Sequence, residues 1–353
     1  MEISNITGFL KNYDGPQVKL MEVCGTHTAC IAKSGIRSLL SPNIRLVSGP
    51  GCPVCVTPAD YIDKCAEYSL KQDHVLVTFG DMMKVPGTSG SLSGMKGRGA
   101  RVELVYSPFE AIWKAAENPA ATYVLAAVGF ETTAPAYGLL IREASEKGLK
   151  NLKLLTAVKK VIPALSWICE NEKGIDGFIC PGHVSVITGI RGYEELSARY
   201  GKPFAVAGFE PEHILAAVYD LVSSLHEKKQ PEARNLYKSA VKDEGNIKAQ
   251  AVIAEYFNEG SAVWRGIGVI GNSGLYLKEK YSVFDADTIS EGDEKDSGFP
   301  PGCRCGDVLL GRIDPNRCPA FGKACNPENP LGPCMVSGEG ACGIFYSSDE
   351  SGK

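Results

Sequence analysis

No apolar run in this chain approaches the length of a bilayer span, which takes about 20 residues. The first residues, Met1-Glu2-Ile3-Ser4-Asn5, carry neither a basic region nor a hydrophobic stretch. A secretory signal is therefore not expected, and the cytoplasm is the expected location. Excess basic charge is also missing: 37 Lys and Arg against 41 Asp and Glu give a net charge of -4, which argues against a dedicated nucleic-acid binder. The run Gly268-Val269-Ile270-Gly271-Asn272-Ser273-Gly274 has spacings that fit neither the dinucleotide fingerprint nor the phosphate-binding loop. Composition is otherwise ordinary for a soluble globular protein, 44% hydrophobic and 22% charged, and 353 residues allow two or three domains with a large core.

Cysteine is what the chain has in abundance. Thirteen are present, an odd number and a large one for a compartment where structural disulfides are rare. Cys24, Cys30, Cys52, Cys55 and Cys65 lie near the start, Cys303, Cys305, Cys318, Cys325, Cys334 and Cys342 crowd the end, and only Cys169 and Cys180 fall between. This distribution points to metal or redox chemistry rather than crosslinking. Cys52 and Cys55 stand in Ser48–Val56, Ser-Gly-Pro-Gly-Cys-Pro-Val-Cys-Val, after the apolar run Ile44–Val47. Thr57-Pro58-Ala59-Asp60 follows and reads as the cap and first turn of a helix. A Cys-x-x-Cys between a strand and a helix start is where a thiol pKa is lowered, so redox or ligand duty is expected of the pair. No second Cys or His pair follows before His74, as a zinc knuckle would need.

Apolar segments at Val18–Val23, Ile44–Val47, Val75–Phe79 and Arg101–Tyr106 alternate with helical stretches such as Ala59–Leu70 and Pro108–Ala116. The pattern repeats with Tyr123–Val128, Leu152–Ala157, Gly177–Cys180 and Phe204–Ala207, joined by helices at Ala134–Lys147, Ile162–Glu172, Tyr193–Tyr200 and Pro211–Leu225. Such alternation means βαβ units and parallel sheets. The fold expected is therefore α/β: two similar parallel-sheet domains, residues 1–117 and 118–228, facing a cleft. Residues 229–353 would form a helical connection and a Cys-rich C-terminal domain, with one or two helices over 231–260, a strand at Val263–Ile270 and a loop at Ser290–Pro301. Open α/β sheets bind ligands at the carboxyl ends of their strands.

Chemically active residues cluster at those ends. Cys24-Gly25-Thr26-His27 follows the first strand, and a thiolate three residues from an imidazole can share one metal or one proton with it. A Cys–His nucleophile pair is the rival, but no oxyanion-hole motif accompanies it. Glu131, His183 and Glu210 also follow strands, and either face the cleft or cap helices. The basic loop Lys96-Gly97-Arg98-Gly99-Ala100-Arg101 reads as a solvated turn, or as a contact for an acidic partner. In the tail only Cys303 and Cys305 form a tight pair, whereas zinc sites usually come as two. Iron–sulfur ligation tolerates the wide spacing and the Cys-Pro step at Cys318-Pro319, so a cluster is expected over zinc, with two of the six cysteines left over.

With these residues in hand the chain resembles the HypD family of [NiFe]-hydrogenase maturation proteins. The resemblance rests on Cys24-Gly25-Thr26-His27-Thr28, Gly49-Pro50-Gly51-Cys52-Pro53-Val54-Cys55, Gly129-Phe130-Glu131-Thr132-Thr133-Ala134-Pro135 and Pro181-Gly182-His183. It continues from Cys303 to Met335-Val336-Ser337-Gly338-Glu339-Gly340-Ala341-Cys342, so it covers the chain from about residue 20 onward. It implies a scaffold, more chaperone than turnover enzyme, on which the Fe(CN)2CO unit is built together with a small HypC-type partner. HypE, working with HypF, would deliver cyanide, and the hydrogenase large subunit would be served indirectly. Cys24 would be the iron ligand with His27 beside it, and Cys52 and Cys55 the redox pair. A [4Fe-4S] cluster like that of ferredoxin:thioredoxin reductase would sit on Cys303, Cys318, Cys325 and Cys342, with Cys305 an alternative first ligand. The alternative function is an iron–sulfur thiol–disulfide oxidoreductase of that reductase type. A structural zinc protein is a third.

Overall fold

The computed structural model describes residues 2–286 and 300–348. In chain order the elements are α1 (Ile3–Lys11), β1 (Val18–Glu22), α2 (Gly25–Lys33), β2 (Ile44–Ser48), α3 (Ala59–Leu70), β3 (His74–Thr78), α4 (Leu92–Met95), β4 (Val102–Leu104) and α5 (Glu110–Glu117). Then come β5 (Thr122–Gly129), α6 (Ala134–Glu146), β6 (Leu152–Lys159), α7 (Val161–Asn171), β7 (Gly177–Pro181), α8 (Gly182–Thr188), α9 (Arg191–Tyr200), β8 (Phe204–Ala207) and α10 (Pro211–His226). The chain continues through β9 (Ala233–Asn235), α11 (Ile247–Tyr256), β10 (Phe257–Trp264) and β11 (Gly268–Leu277), and the tail holds the short helices α12 (Cys305–Leu309) and α13 (Ala341–Ser347).

The strands form two sheets. One has the order β2-β1-β7-β8-β9 and is parallel throughout; the other runs β10-β11-β6-β5-β3-β4, parallel except for the hairpin β10–β11 at one edge. Helices cover both faces of a parallel sheet, so its strands read as near-continuous apolar runs rather than alternations. The burial patterns agree: β5, β7 and β8 are buried at almost every position. This is why the expected strands and helices up to residue 226 fall within a few residues of the observed ones.

Strand pairing does not follow the expected division at residues 117 and 118. β1 and β2 pair into the sheet of β7 to β9, and β3 and β4 into that of β5 and β6, so each sheet draws on both spans. Local periodicity marks a strand, whereas a parallel strand's neighbours are set by where its crossover lands. Of the one or two helices expected over 231–260, one is present, over its second half. That span holds β9, then α11 capped by the Asn246 side chain on Ala249 N–H, then the start of β10. The single strand expected at Val263–Ile270 is the end of β10 and the start of β11, with the hairpin turn between them. Of the loop expected at Ser290–Pro301, residues 290–299 lie outside the described residues.

The tail builds no separate core. Val308, Leu309, Leu310, Ala320, Met335 and Ala341 share one apolar cluster with Met21, Val23 and Val47 at the ends of β1 and β2 and with Phe130 and Trp264 from the other sheet. Side-chain contacts fasten it to both sheets: Arg45–Asp314 at 2.8 Å, Ser337 Oγ to Asp81 Oδ2 at 3.0 Å, and Thr26 Oγ1 to Glu339 Oε1 at 3.2 Å. The carboxyl ends of β1, β2 and β3 therefore meet at the tail. Lys96, Gly97, Arg98 and Gly99 are exposed, as a solvated turn requires. Among the described residues no helix is long and apolar enough to cross a membrane.

Candidate functional site

Cys24 stands at the N-cap of α2, 6% exposed, and its thiol faces the backbone N–H groups of Thr26 and His27. Those N–H groups favour the thiolate, but burial is the larger influence and pushes the thiol up to about 12. The turn is clamped from two sides. A β-carbon on Gly25 would overlap Glu339 of the tail, and one on Gly51 would overlap the backbone of Val23 and Cys24. Only glycine lets the tail and the Cys52/Cys55 loop close onto the Cys24 turn this tightly. Glu22, buried at the end of β1, accepts from the Cys24 N–H at 3.0 Å and from the Thr28 hydroxyl. Burial raises its carboxyl to about 7.

His27 is fully buried one turn into α2. Its Nε2 lies 3.0 Å from the Gly208 carbonyl, which can only accept, so Nε2 carries the proton and Nδ1 is bare. Nδ1 is buried with no hydrogen-bond partner among the described residues. Burial lowers the ring's pKa to about 4, so the imidazole is neutral at physiological pH. It packs against Phe209, which in turn stacks on His183 at 3.9 Å between ring centroids.

Cys52 and Cys55 are 3% and 0% exposed. The lowered pKa expected of the pair is not found at Cys55: α3 begins only at Ala59, and burial pushes the Cys55 thiol well up. The Cys55 thiol contacts both Cys52 and Cys334. Cys334 Sγ lies 2.6 Å from Cys305 Sγ, and Cys305 contacts Cys303. A line of thiols thus runs from Cys52 to Cys303. Sequence reading offered Cys305 only as an alternative first cluster ligand and left Cys334 without a role; their contacts with each other and with Cys55 become visible only in three dimensions.

All six tail cysteines line one small void of 10 Å3, closed by Ala320, Phe321, Gly332 and Met335, with no charged side chain among them. Burial pushes the Cys342 thiol well up, and Cys325, Cys303 and Cys318 push it in the same direction, which marks these four as neighbours. A β-carbon on Gly332 would sit 2.8 Å from Cys303 Sγ. Among the described residues no group of three or more His, Cys, Asp or Glu gathers tightly enough for a single metal ion; the thiols surround a void instead. Two other candidates stand at helix starts. Glu131 Oε1 accepts from the Val161 N–H at the start of α7 at 2.8 Å, and Glu210 is the exposed N-cap residue of α10.

A family model described as HypD, hydrogenase formation hypA family, matches residues 3–349. The chain belongs to the HypD family. It is 41% identical over 334 residues to the hydrogenase maturation factor HypD of Escherichia coli, covering 93% of this chain and 88% of that protein. A putative hydrogenase expression/formation protein of Methanocaldococcus jannaschii is 41% identical over 330 residues, covering 94% and 92%. The hydrogenase maturation factor HypD of Cupriavidus necator is 39% identical over 342 residues, covering 94% and 90%. Similarity thus extends over the two sheets and the tail alike, and the chain is a HypD-type hydrogenase maturation factor.

Proposed function

We propose that this HypD-family chain is the scaffold on which the Fe(CN)2CO unit of a [NiFe]-hydrogenase is assembled. Iron is the cargo, held by Cys24 together with a small HypC-type partner, and HypE, working with HypF, supplies cyanide. The observation that carries the reading is the Cys24 turn. A thiol and a neutral imidazole with a bare Nδ1 stand three residues apart, clamped between the Cys52/Cys55 loop and the tail. Thiolate is a suitable companion ligand for low-spin ferrous iron carrying cyanide and carbonyl.

Cys303, Cys318, Cys325 and Cys342 fit a [4Fe-4S] cluster in the chemistry of their thiols, lining one void in an apolar shell that Cys305 and Cys334 share. Bound there, the cluster would supply single electrons. The chain's own thiols would carry the reducing equivalents onward. Cys334 attacks Cys55 of a Cys52–Cys55 disulfide and releases the Cys52 thiolate. Cys305 then attacks Cys334 and releases Cys55, leaving a reduced Cys52/Cys55 pair and a Cys305–Cys334 disulfide, which two electrons, supplied one at a time, and two protons would return to thiols. The 2.6 Å separation of Cys305 and Cys334, and the Cys55–Cys334 contact, support this order. The oxidoreductase alternative draws on the same thiols, but Cys52 and Cys55, at 3% and 0% exposure, would have to be uncovered before a partner's disulfide reached them.

Infrared spectra of the anaerobic chain, co-expressed with its small partner and the cyanide donor, test the proposal beside a Cys24→Ala control. Cyanide and carbonyl stretches are expected in the native complex and absent from the control. Their absence from the native complex, with the donor confirmed present, favours the oxidoreductase.

A further inference from the structure

A cavity of 790 Å3 opens away from the cysteines, between the C-terminal part of α2, the edge strand β2 and the tail. Among the described residues its rim carries Lys33, Arg37, Arg45 and Arg317 against a single carboxylate, Asp314. Asp314 is already paired with Arg45 at 2.8 Å, and Arg37 lies over the Phe345 ring at 4.8 Å. The rim is therefore strongly cationic on a chain whose net charge is -4. A second cavity of 400 Å3 shares Ala32, Lys33, Ser347 and Ser348 with the first, and its own walls are mostly apolar, including Ala29, Met335, Val336 and Ile344. Ala29, Ala32 and Lys33 fall on one face of α2, where two small side chains leave the groove open. At its far end the groove reaches Ser337 and Gly338, beside the Glu339 that presses on Gly25. One continuous groove thus leads from the cationic rim to the edge of the Cys24 turn.

We propose that this groove docks an extended acidic segment of the protein partner that meets the chain at Cys24, which rests on the scaffold reading above. Carboxylates of the segment pair with Lys33, Arg45 and Arg317, and its apolar side chains cover Ala29, Met335, Val336 and Ile344. A small anion would use only the cationic end and leave the apolar half without purpose. An extended chain advances about 3.3 Å per residue, so roughly four residues run the length of α2. The exposed cations also draw an acidic partner toward Cys24 from a distance, an effect that salt screens.

The test measures binding of the purified HypC-type partner to the full chain at low and high salt. The variants are Lys33→Glu with Arg317→Glu, and Ala32→Trp, which obstructs the groove without changing charge; unchanged melting temperatures establish folding. The charge reversal is expected to weaken binding at low salt about tenfold or more and to flatten its salt dependence. Ala32→Trp is expected to weaken binding and keep the salt dependence. Wild-type binding with both variants unimpaired overturns the groove proposal and leaves the scaffold reading standing. Failure of the wild-type chain to bind the partner at all overturns the scaffold reading itself. Titration with pyrophosphate separates the remaining case: pyrophosphate binding abolished by the charge reversal while partner affinity is unchanged would make this a small-anion site and overturn docking.

Discussion

Glu131 illustrates how one buried carboxyl couples the two sheets and what it costs. It follows β5, and Oε1 accepts the Val161 N–H of α7, the helix that leads from one sheet into the other. Oε2 is buried with no hydrogen-bond partner among the described residues. Burial raises the carboxyl from 4.5 to about 7; its own N–H, that of Val161 and the Lys160 charge pull the other way, and Glu259 adds slightly to the rise. Between these pH values the folded chain holds a proton that the unfolded chain has released, so folding loses stability as pH rises. The loss is complete above about 7 and amounts to roughly 3 kcal/mol. Glu22 acts in the same direction and His27, lowered to about 4, in the opposite one, so the whole-protein profile mixes all three. The difference between wild type and Glu131→Gln isolates one of them. Denaturant unfolding from pH 4.5 to 7.5 is expected to show the wild type falling steadily relative to the variant, since Gln keeps the acceptor for Val161 and cannot ionise. A flat difference would mean that Glu131 titrates as an exposed carboxyl does.

The contact of α2 with the tail sets the geometry of the site at the next scale. Gly25→Ala places a methyl group where Glu339 already lies, whereas a β-carbon on Gly338 meets nothing within 4 Å. Gly25→Ala is expected to cost about 2 kcal/mol or more as an overpacked contact. Proteolysis should then cut near Glu339 before the sheets unfold. Gly338→Ala should leave both melting temperature and cleavage unchanged, and thermal unfolding with limited proteolysis compares the two. The sequence made Cys24-Gly25-Thr26-His27 visible as a post-strand turn, because strand and helix signals are local. It held no sign of Glu339, 314 residues further along, as the neighbour that excludes a side chain at Gly25. The same limit explains the sheets. β1 and β7 are separated by more than 150 residues yet pair directly, and nothing in either segment names the other. The span 231–260 misled for a different reason: β9 is three residues long and polar, and its strand geometry comes from pairing with β8 rather than from its own side chains.

At the scale of the whole molecule the tail closes a circuit that its own composition leaves open. Its spacing pointed to a cluster and left two of six cysteines unassigned. Packed between the sheets, it puts Cys334, with Cys305 beside it and both on the wall of the shared void, against Cys55 of the loop that comes from the other end of the chain. This separates two functions that sequence alone would merge. Cys318→Ala removes a thiol from the group around Cys342, whereas Cys334→Ser leaves that group intact and breaks the line at its centre. Ser keeps the size and polarity of the site while losing the sulfur that exchange requires. Starting from anaerobic protein with Cys52 and Cys55 oxidised, a one-electron reductant is added and the pair is read by alkylation and mass spectrometry, with cluster absorbance followed in parallel. The native chain is expected to show both the absorbance and reduction of the pair. Cys318→Ala should lose the absorbance, and Cys334→Ser should keep it while its Cys52–Cys55 disulfide persists. If Cys334→Ser reduces the pair at the native rate, the 2.6 Å approach of Cys305 and Cys334 is a packing contact only, and reducing equivalents reach the Cys24 turn by another route.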